Sequence, residues 1–340
     1  MIEVIRKEEK TGPSGPVFLW GFCFACILLA ACAPTRTQLP AVELQQVHVS
    51  GAHRLAFSPD GQKLASGGLH GGVRIWSVTD GAAMASLPAH DDSIRGLVWL
   101  DNTRLLSADR SGRVLIRDTR TAQVIQSLQL DAVAALALAP GRDWLLVGGG
   151  RQLHSVALPS LQVTTTRNVP GDVLSVAIDH AGRQIALSTR DDRVWLLDTT
   201  LEFTTELARP SRAAQDLHFS PDARTLLAGG WFRLLVWDLP HNRLEERPTG
   251  HLGNVVSVDI SPDGSQWISL ARTTASSFQL VDAESNRVIR NFKAQELCGW
   301  QARFSPDGRY VASSAEDGSI HIFDLQTRYR PVVSYDQIED

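Results

Sequence analysis

The sequence predicts an all-β protein, a propeller of seven small antiparallel sheets. Three observations support this: a turn motif recurring at a near-constant interval, short runs of alternating apolar and polar residues between the turns, and a composition suited to a buried core. The motif reads Phe57-Ser58-Pro59-Asp60-Gly61, Phe219-Ser220-Pro221-Asp222, Ile260-Ser261-Pro262-Asp263-Gly264 and Phe304-Ser305-Pro306-Asp307-Gly308. Degenerate copies fill the gap between the first and second, at Val98-Trp99-Leu100-Asp101-Asn102, Leu138-Ala139-Pro140-Gly141 and Ile178-Asp179-His180-Ala181-Gly182. Aligned on Ser58, the anchors fall at 58, 99, 139, 179, 220, 261 and 305, giving steps of 41, 40, 40, 41, 41 and 44 residues. A period this steady marks a repeat architecture, in which each unit must stack on its neighbours to bury its faces.

Each unit then reads in the same order. Proline presets the backbone of the first turn and glycine supplies its positive φ. A strand follows, as at Lys63-Leu64-Ala65-Ser66 and Tyr310-Val311-Ala312-Ser313. A second turn comes next, at His70-Gly71-Gly72 or Glu316-Asp317-Gly318. A further strand then ends in an apolar residue plus aspartate, as in Val236-Trp237-Asp238, Leu196-Leu197-Asp198, Leu280-Val281-Asp282 and Ile322-Phe323-Asp324. These runs alternate as half-buried strands do. In the third unit, about residues 130–169, Gly148-Gly149-Gly150 stands in the second turn between two predicted strands and reads as a hairpin rather than a nucleotide site.

These residues resemble the WD40 repeat family over nearly the whole chain beyond residue 40. The family's Gly-His pair matches at Gly250-His251, and at histidine alone in Ala89-His90 and Val47-His48; its Trp-Asp ending is intact at Trp237-Asp238. The family's His–Ser–Asp–Trp hydrogen-bonded set is incomplete in every unit, the first offering His48, Ser66 and Trp76 with His70 in place of aspartate. The resemblance implies a seven-bladed WD40-type β-propeller over residues 41–336, closed by a strand from the opposite terminus. Val42 to Val47 is favoured for that strand over Pro331 to Tyr335. It also implies that partners dock on the face made by the second turns and the loops between blades.

Composition agrees. The chain has 340 residues, 43% hydrophobic and 21% charged, enough to bury a core and too weakly charged for disorder. A formal net charge of -4 argues against a general nucleic-acid binder. Three of the four cysteines, Cys23, Cys26 and Cys32, crowd the N-terminus; Cys298 is alone in the body and reads as a small, partly buried thiol, so no disulfide is expected within the propeller.

The N-terminus reads as an address. Residues 17–31 form an uncharged apolar run, short for a membrane span and suited to a signal-peptide core. It ends in Leu29-Ala30-Ala31-Cys32, which resembles the lipobox of bacterial lipoproteins, in which the cysteine thiol receives lipid after small residues fit the peptidase. Residues 1–31 are thus expected as a lipoprotein signal, 32–40 as a tether, and 337–340 as a short tail. Lipidated Cys32 is expected to hold the protein on a membrane of the cell envelope. Ala33, where enteric-type lipoproteins carry aspartate for inner-membrane retention, favours the outer membrane facing the periplasm. The alternative is an uncleaved signal anchor in the inner or plasma membrane.

Catalytic signals are sparse. The ten histidines show no HxH or HExxH spacing, and no GxSxG elbow or GxxxxGKS loop occurs. Asp91-Asp92 and Asp191-Asp192 are paired carboxylates in turns, open to acid–base or calcium roles but more often turn formers. No cofactor, metal or nucleic acid is expected, and the chain reads as a binding platform for a protein partner rather than an enzyme. The candidate contacts are Trp231, Phe232, Arg233, Trp300 and Arg110. Trp231-Phe232 stands where a polar turn is expected, and Trp and Arg are enriched in binding hot spots; the competing reading folds these rings inward to fill the pit. His53, Arg95, Arg190 and Asp317 are placed on the same face. The alternative function is an extracytoplasmic propeller taking a small molecule or glycan in its central pit, with hydrolase or lyase chemistry.

Overall fold

The computed structural model describes residues 37–49, 51–272, 278–293 and 295–327. Among the described residues seven sheets follow one another along the chain, six of four antiparallel strands and the sixth with a fifth, parallel strand at its edge. Their inner strands are Ala52–Phe57, Ile94–Trp99, Ala135–Leu138, Val173–Ile178, Gln215–Phe219, Asn254–Ile260 and Gly299–Phe304. Each inner strand touches the next, and the seventh touches the first, so the blades close into a ring.

The turn motif builds the first hairpin of each blade by side-chain chemistry. The Ser58 hydroxyl donates to the Asp60 carboxylate at 2.5 Å and accepts the Lys63 N–H at 2.9 Å. The same pair recurs at Ser220, Ser261 and Ser305. In blade four Asp179 takes the serine's place and accepts the N–H groups of Arg183 and Gln184. Blade two differs from the expected alignment. Trp99 is the last residue of its strand, the turn starts at Leu100, and Asp101 accepts the N–H of both Thr103 and Arg104, so this turn is one residue tighter.

The core is a set of seams. Seven apolar clusters occur, and each draws its side chains from two adjacent blades. Leu55, Leu64 and Trp76 of blade one, for example, pack on Ala312, Ile320 and Ile322 of blade seven. A blade has two apolar faces and no way to cover either alone, so closing the last seam completes the burial; each fully buried Leu or Val side chain contributes about 1.5–3 kcal/mol. The outer strands, such as Val124–Gln129 and Gln162–Asn168, are mostly exposed.

The N-terminal strand closes the ring. Val42–Leu44 pairs antiparallel with Ile320–Asp324 as the fourth strand of blade seven, and the Val47 N–H donates to the Gly318 carbonyl. Thr37–Gln38, within the segment expected as a tether, pairs in parallel with Asn291 and Phe292 at the outer edge of blade six. The Gly148–Gly150 segment does form the end of a strand and a hairpin turn, with Gly150 at φ 52°. Residues 1–36, with Cys32 and the apolar run, lie outside the described residues, as do Pro331 to Tyr335 and the tail.

Candidate binding face

One face of the ring carries the loops between blades and the second turn of each blade. Histidines anchor those loops. His48 Nε2 bonds to Ser66 Oγ at 2.8 Å, and the same hydroxyl accepts the Trp76 indole N–H at 2.9 Å. Ser66 keeps its own proton to offer the imidazole, an arrangement open to a neutral ring; burial, helped by Arg74, pushes the His48 pKa down to about 4. His251 repeats the contact with Ser269 at 2.8 Å, and burial likewise pushes it down to about 4. In blade two His90 joins Ser107 and Asp109, with Arg117 reaching Ser107 where the family places tryptophan.

A cavity of about 670 Å³ runs along the ring axis from this face. Two sets of equivalent repeat positions build it. The first lies four residues before the first residue of each turn, Leu100 in blade two: Arg54, Gly96, Ala135, Ser175, Asp216, Ser257 and Gln301. Five of these reach across a seam to the backbone of the next inner strand. Arg54 Nε donates to the Arg95 carbonyl (2.8 Å), and Ser175 accepts the N–H of Leu217 (3.0 Å). Asp216 accepts the N–H of Val258 (3.1 Å), Ser257 that of Ala302 (3.0 Å) and Gln301 that of Leu55 (2.6 Å). This polar belt latches five seams and is interrupted at Gly96 and Ala135.

The second set lies eleven residues after the anchors, at the second turns: Leu69, Arg110, Gly150, Arg190, Trp231, Arg272 and Glu316. Arg110, Arg190 and Arg272 line the cavity together with Arg54, Arg95 and Arg303. Asp216 is the one carboxylate in that lining, and it takes a two-pronged bond from Arg303 at 2.8 Å. Burial alone would raise the Asp216 pKa, but Arg303 and His218 hold it well below the usual carboxylate range. Burial lowers Arg54 to about 10, with Arg95 and Arg303 adding to the effect against Asp216. Arg95 is lowered by burial and then by Arg110 and Arg190. His53, buried beside these cations, falls to about 3 and stays neutral.

Trp300 and Arg110, two of the expected contact residues, line this cavity. Trp300 stacks on His53 at 4.1 Å between ring centres, and the Arg272 guanidinium lies over its indole at 4.2 Å. Arg110 pairs with Asp92 at 3.1 Å. Trp231 and Phe232 do not fill the pit: they are 58% and 40% exposed, packed edge to face at 5.3 Å, with the turn bridged to Asn254 at the cavity wall. Arg233 turns away along its blade toward Glu246, 3.7 Å off. His53, Arg95 and Arg190 lie at the cavity, while Asp317 caps Ser319 in the second turn of blade seven. Asp91, Asp92 and Asp191 face Arg113, Arg110 and Arg193, and among the described residues no group of acids, histidines and cysteines is arranged to hold a metal. Sequence reasoning missed Arg54, Arg272, Arg303 and Asp216 in the cavity. It also missed Val49, Leu252 and Leu297, exposed apolar residues of the interblade loops on this face. Alignment of positions across repeats was the signal that could have found the first four.

The family described as WD domain, G-beta repeat, matches residues 43–77 and 289–324. Each matched span is the outer strand of one blade plus three strands of the next, the offset that Velcro-like closure by Val42–Leu44 requires. Two of the seven blades thus carry repeats that match the WD40 family. Similar proteins include Periodic tryptophan protein 2 homolog of Caenorhabditis elegans, 22% identical over 84% of this chain and 29% of that protein. Guanine nucleotide-binding protein subunit beta of Arabidopsis thaliana is 21% identical over 75% of this chain and 62% of its own length. THO complex subunit 3 of Arabidopsis thaliana is 23% identical, covering 83% and 79%. The chain thus spans less than two thirds of the first two relatives.

Proposed function

We propose that this WD40 propeller is a membrane-tethered scaffold of the cell envelope, docking a protein partner through the face that carries the interblade loops and second turns. The observation that carries the reading is the gathering of Val49, Trp231, Phe232, Leu252 and Leu297, all exposed, in the loops of that one face. Nearly all the other large exposed apolar side chains sit singly or in pairs on outer strands, as Met84 and Val163 do. Exposed aromatic residues grouped with other apolar side chains mark a surface that a partner covers. Two of the similar proteins bear names of subunits, which fits an accessory role in a complex.

The tether is assigned to Cys32. The sequence Leu29-Ala30-Ala31-Cys32 supports lipidation, and Ala33 supports delivery to the outer membrane with the propeller in the periplasm. The rival reading, hydrolysis of a glycan in the pit, calls for converging acids. The cavity instead has one lining carboxylate among the described residues, already held by Arg303. The test is capture of a partner from detergent-solubilised membranes by the tagged chain. The Trp231→Ala/Phe232→Ala variant is expected to lose the partner while melting as the parent does; unchanged capture removes this patch. Incorporation of labelled palmitate, abolished by Cys32→Ser, tests the anchor separately.

A further inference from the structure

We propose that the cavity mouth binds an acidic peptide segment, its carboxylates taken by Arg95, Arg190 and Arg272. The inference deepens the docking reading above and rests on it.

The cavity is cationic although the chain as a whole carries -4. Of its six arginines, Arg303 is matched by Asp216 and Arg110 by Asp92. Arg54 spends its guanidinium on the carbonyls of His53 and Arg95. Arg95, Arg190 and Arg272 have no carboxylate within reach and donate no side-chain hydrogen bond among the described residues, although all three line the cavity. Arg95 is the telling member. It stands at the bulge where blades one and seven have His53 and Trp300, one residue before the belt, so its side chain latches no seam and keeps its donors for the cavity. Arg272 is held in place by the Trp300 ring rather than left free in solvent, which lowers the entropy lost when it meets an anion. Arg95 is crowded by Arg110 and Arg190, only partly offset by Asp92, and an anion at the mouth would relieve the remaining repulsion.

The three arginines come from blades two, four and six, alternate positions around the ring, an arrangement matched to anionic groups spread along a ligand. Several linked anionic groups can, each bound by charge-assisted contacts. A peptide fits better than a nucleic acid because the neighbouring surface is apolar: exposed Trp231 and Phe232 stand in the turn bridged to Asn254 of the cavity wall, and Leu136, Leu138 and Val176 line that wall.

The experiment is fluorescence anisotropy of the full chain with fluorescein-labelled deca-glutamate. Deca-glutamine and a ten-residue oligothymidylate are the comparison probes, and inorganic phosphate is the competitor. Saturable binding of deca-glutamate over deca-glutamine is expected, weakening as salt is added. The Arg95→Gln/Arg190→Gln/Arg272→Gln variant should lose affinity about tenfold or more. Removing three exposed cations elsewhere, in Arg120→Gln/Arg243→Gln/Arg287→Gln, should change it less than about twofold, as screening of distant charges requires. Unaltered melting temperatures certify both variants as folded. The proposal is overturned if deca-glutamate does not bind, if the two variants lose affinity equally, if oligothymidylate binds more tightly, or if millimolar phosphate displaces the peptide completely. Should deca-glutamate fail while Trp231→Ala/Phe232→Ala still abolishes partner capture, docking stands and the acidic-segment proposal falls alone.

Discussion

Asp216 joins three blades, and its removal should be the most damaging single change at the cavity. Its carboxylate receives Arg303 from blade seven through two bonds of 2.8 Å, the Ser257 hydroxyl from blade six at 2.5 Å, and the Val258 N–H at 3.1 Å. Asp216→Ala leaves a half-buried guanidinium without its counter-charge and a backbone donor without an acceptor. Breaking such a pair costs about 3–5 kcal/mol, which for a ring of this size lowers the melting temperature by about 5–8 °C. Asp216→Asn keeps an acceptor for Val258 and tolerates the positive φ of 54°, so it should cost less and isolate the charge. The pH dependence has a defined sign. The folded pKa lies below the unfolded one, so the carboxylate's contribution is complete above about pH 4 and shrinks as acid is added. Urea titrations of parent and Asp216→Asn should therefore begin to converge as the pH falls below about 4 and go on converging until the lowered folded pKa is passed. A double-mutant cycle with Arg303→Met should show strong coupling. Asp216→Ala within 1 kcal/mol of the parent, or additive effects in the cycle, would refute the three-blade clamp.

Other outcomes follow from the same geometry. His48 and His251 sit near pKa 4 and His53 near 3 when folded, so their stability is present above pH 6.5 and is lost as pH falls. Each should take away about 1.4 kcal/mol per pH unit between 6 and 4.5, and a flat urea midpoint over that window would contradict the buried neutral rings. Gln301→Ala strips the acceptor from the Leu55 N–H at the seam between blades seven and one. It should cost about 1–3 kcal/mol and speed hydrogen exchange at Leu55; unchanged exchange would deny the latch. Ala223 adopts φ 55° where the other full turns have Gly61, Gly264 and Gly308, so Ala223→Gly should add about 0.5–1 kcal/mol in thermal unfolding.

Much of the ring was readable in the chain because its determinants are local. Ser58, Asp60 and Gly61 act on one another and on Lys63 within a few residues, so the turn announces itself in any single copy. The closing strand was readable as well, because Val42–Leu44 precedes the first full repeat and alternates appropriately. Trp231 and Phe232 stood out as apolar residues in a turn. The cavity was harder. Arg54, Asp216 and Gln301 each look like a polar residue inside a strand, and their partners lie a whole blade away in the ring. Only superposition of the seven units shows that they occupy one level of the channel. Val49, Leu252 and Leu297 carry no signal at all, because a single apolar residue in a loop gains meaning only from its neighbours in space.

Site-specific photocrosslinking in native membranes tests the docking claim most directly. A photoreactive residue at Trp231 should yield one discrete adduct with a partner protein, and the same probe at Asn242, in an outer turn remote from the cavity mouth, should not. Adducts of equal yield from both positions, or from Asn242 alone, would place the working surface elsewhere on the ring.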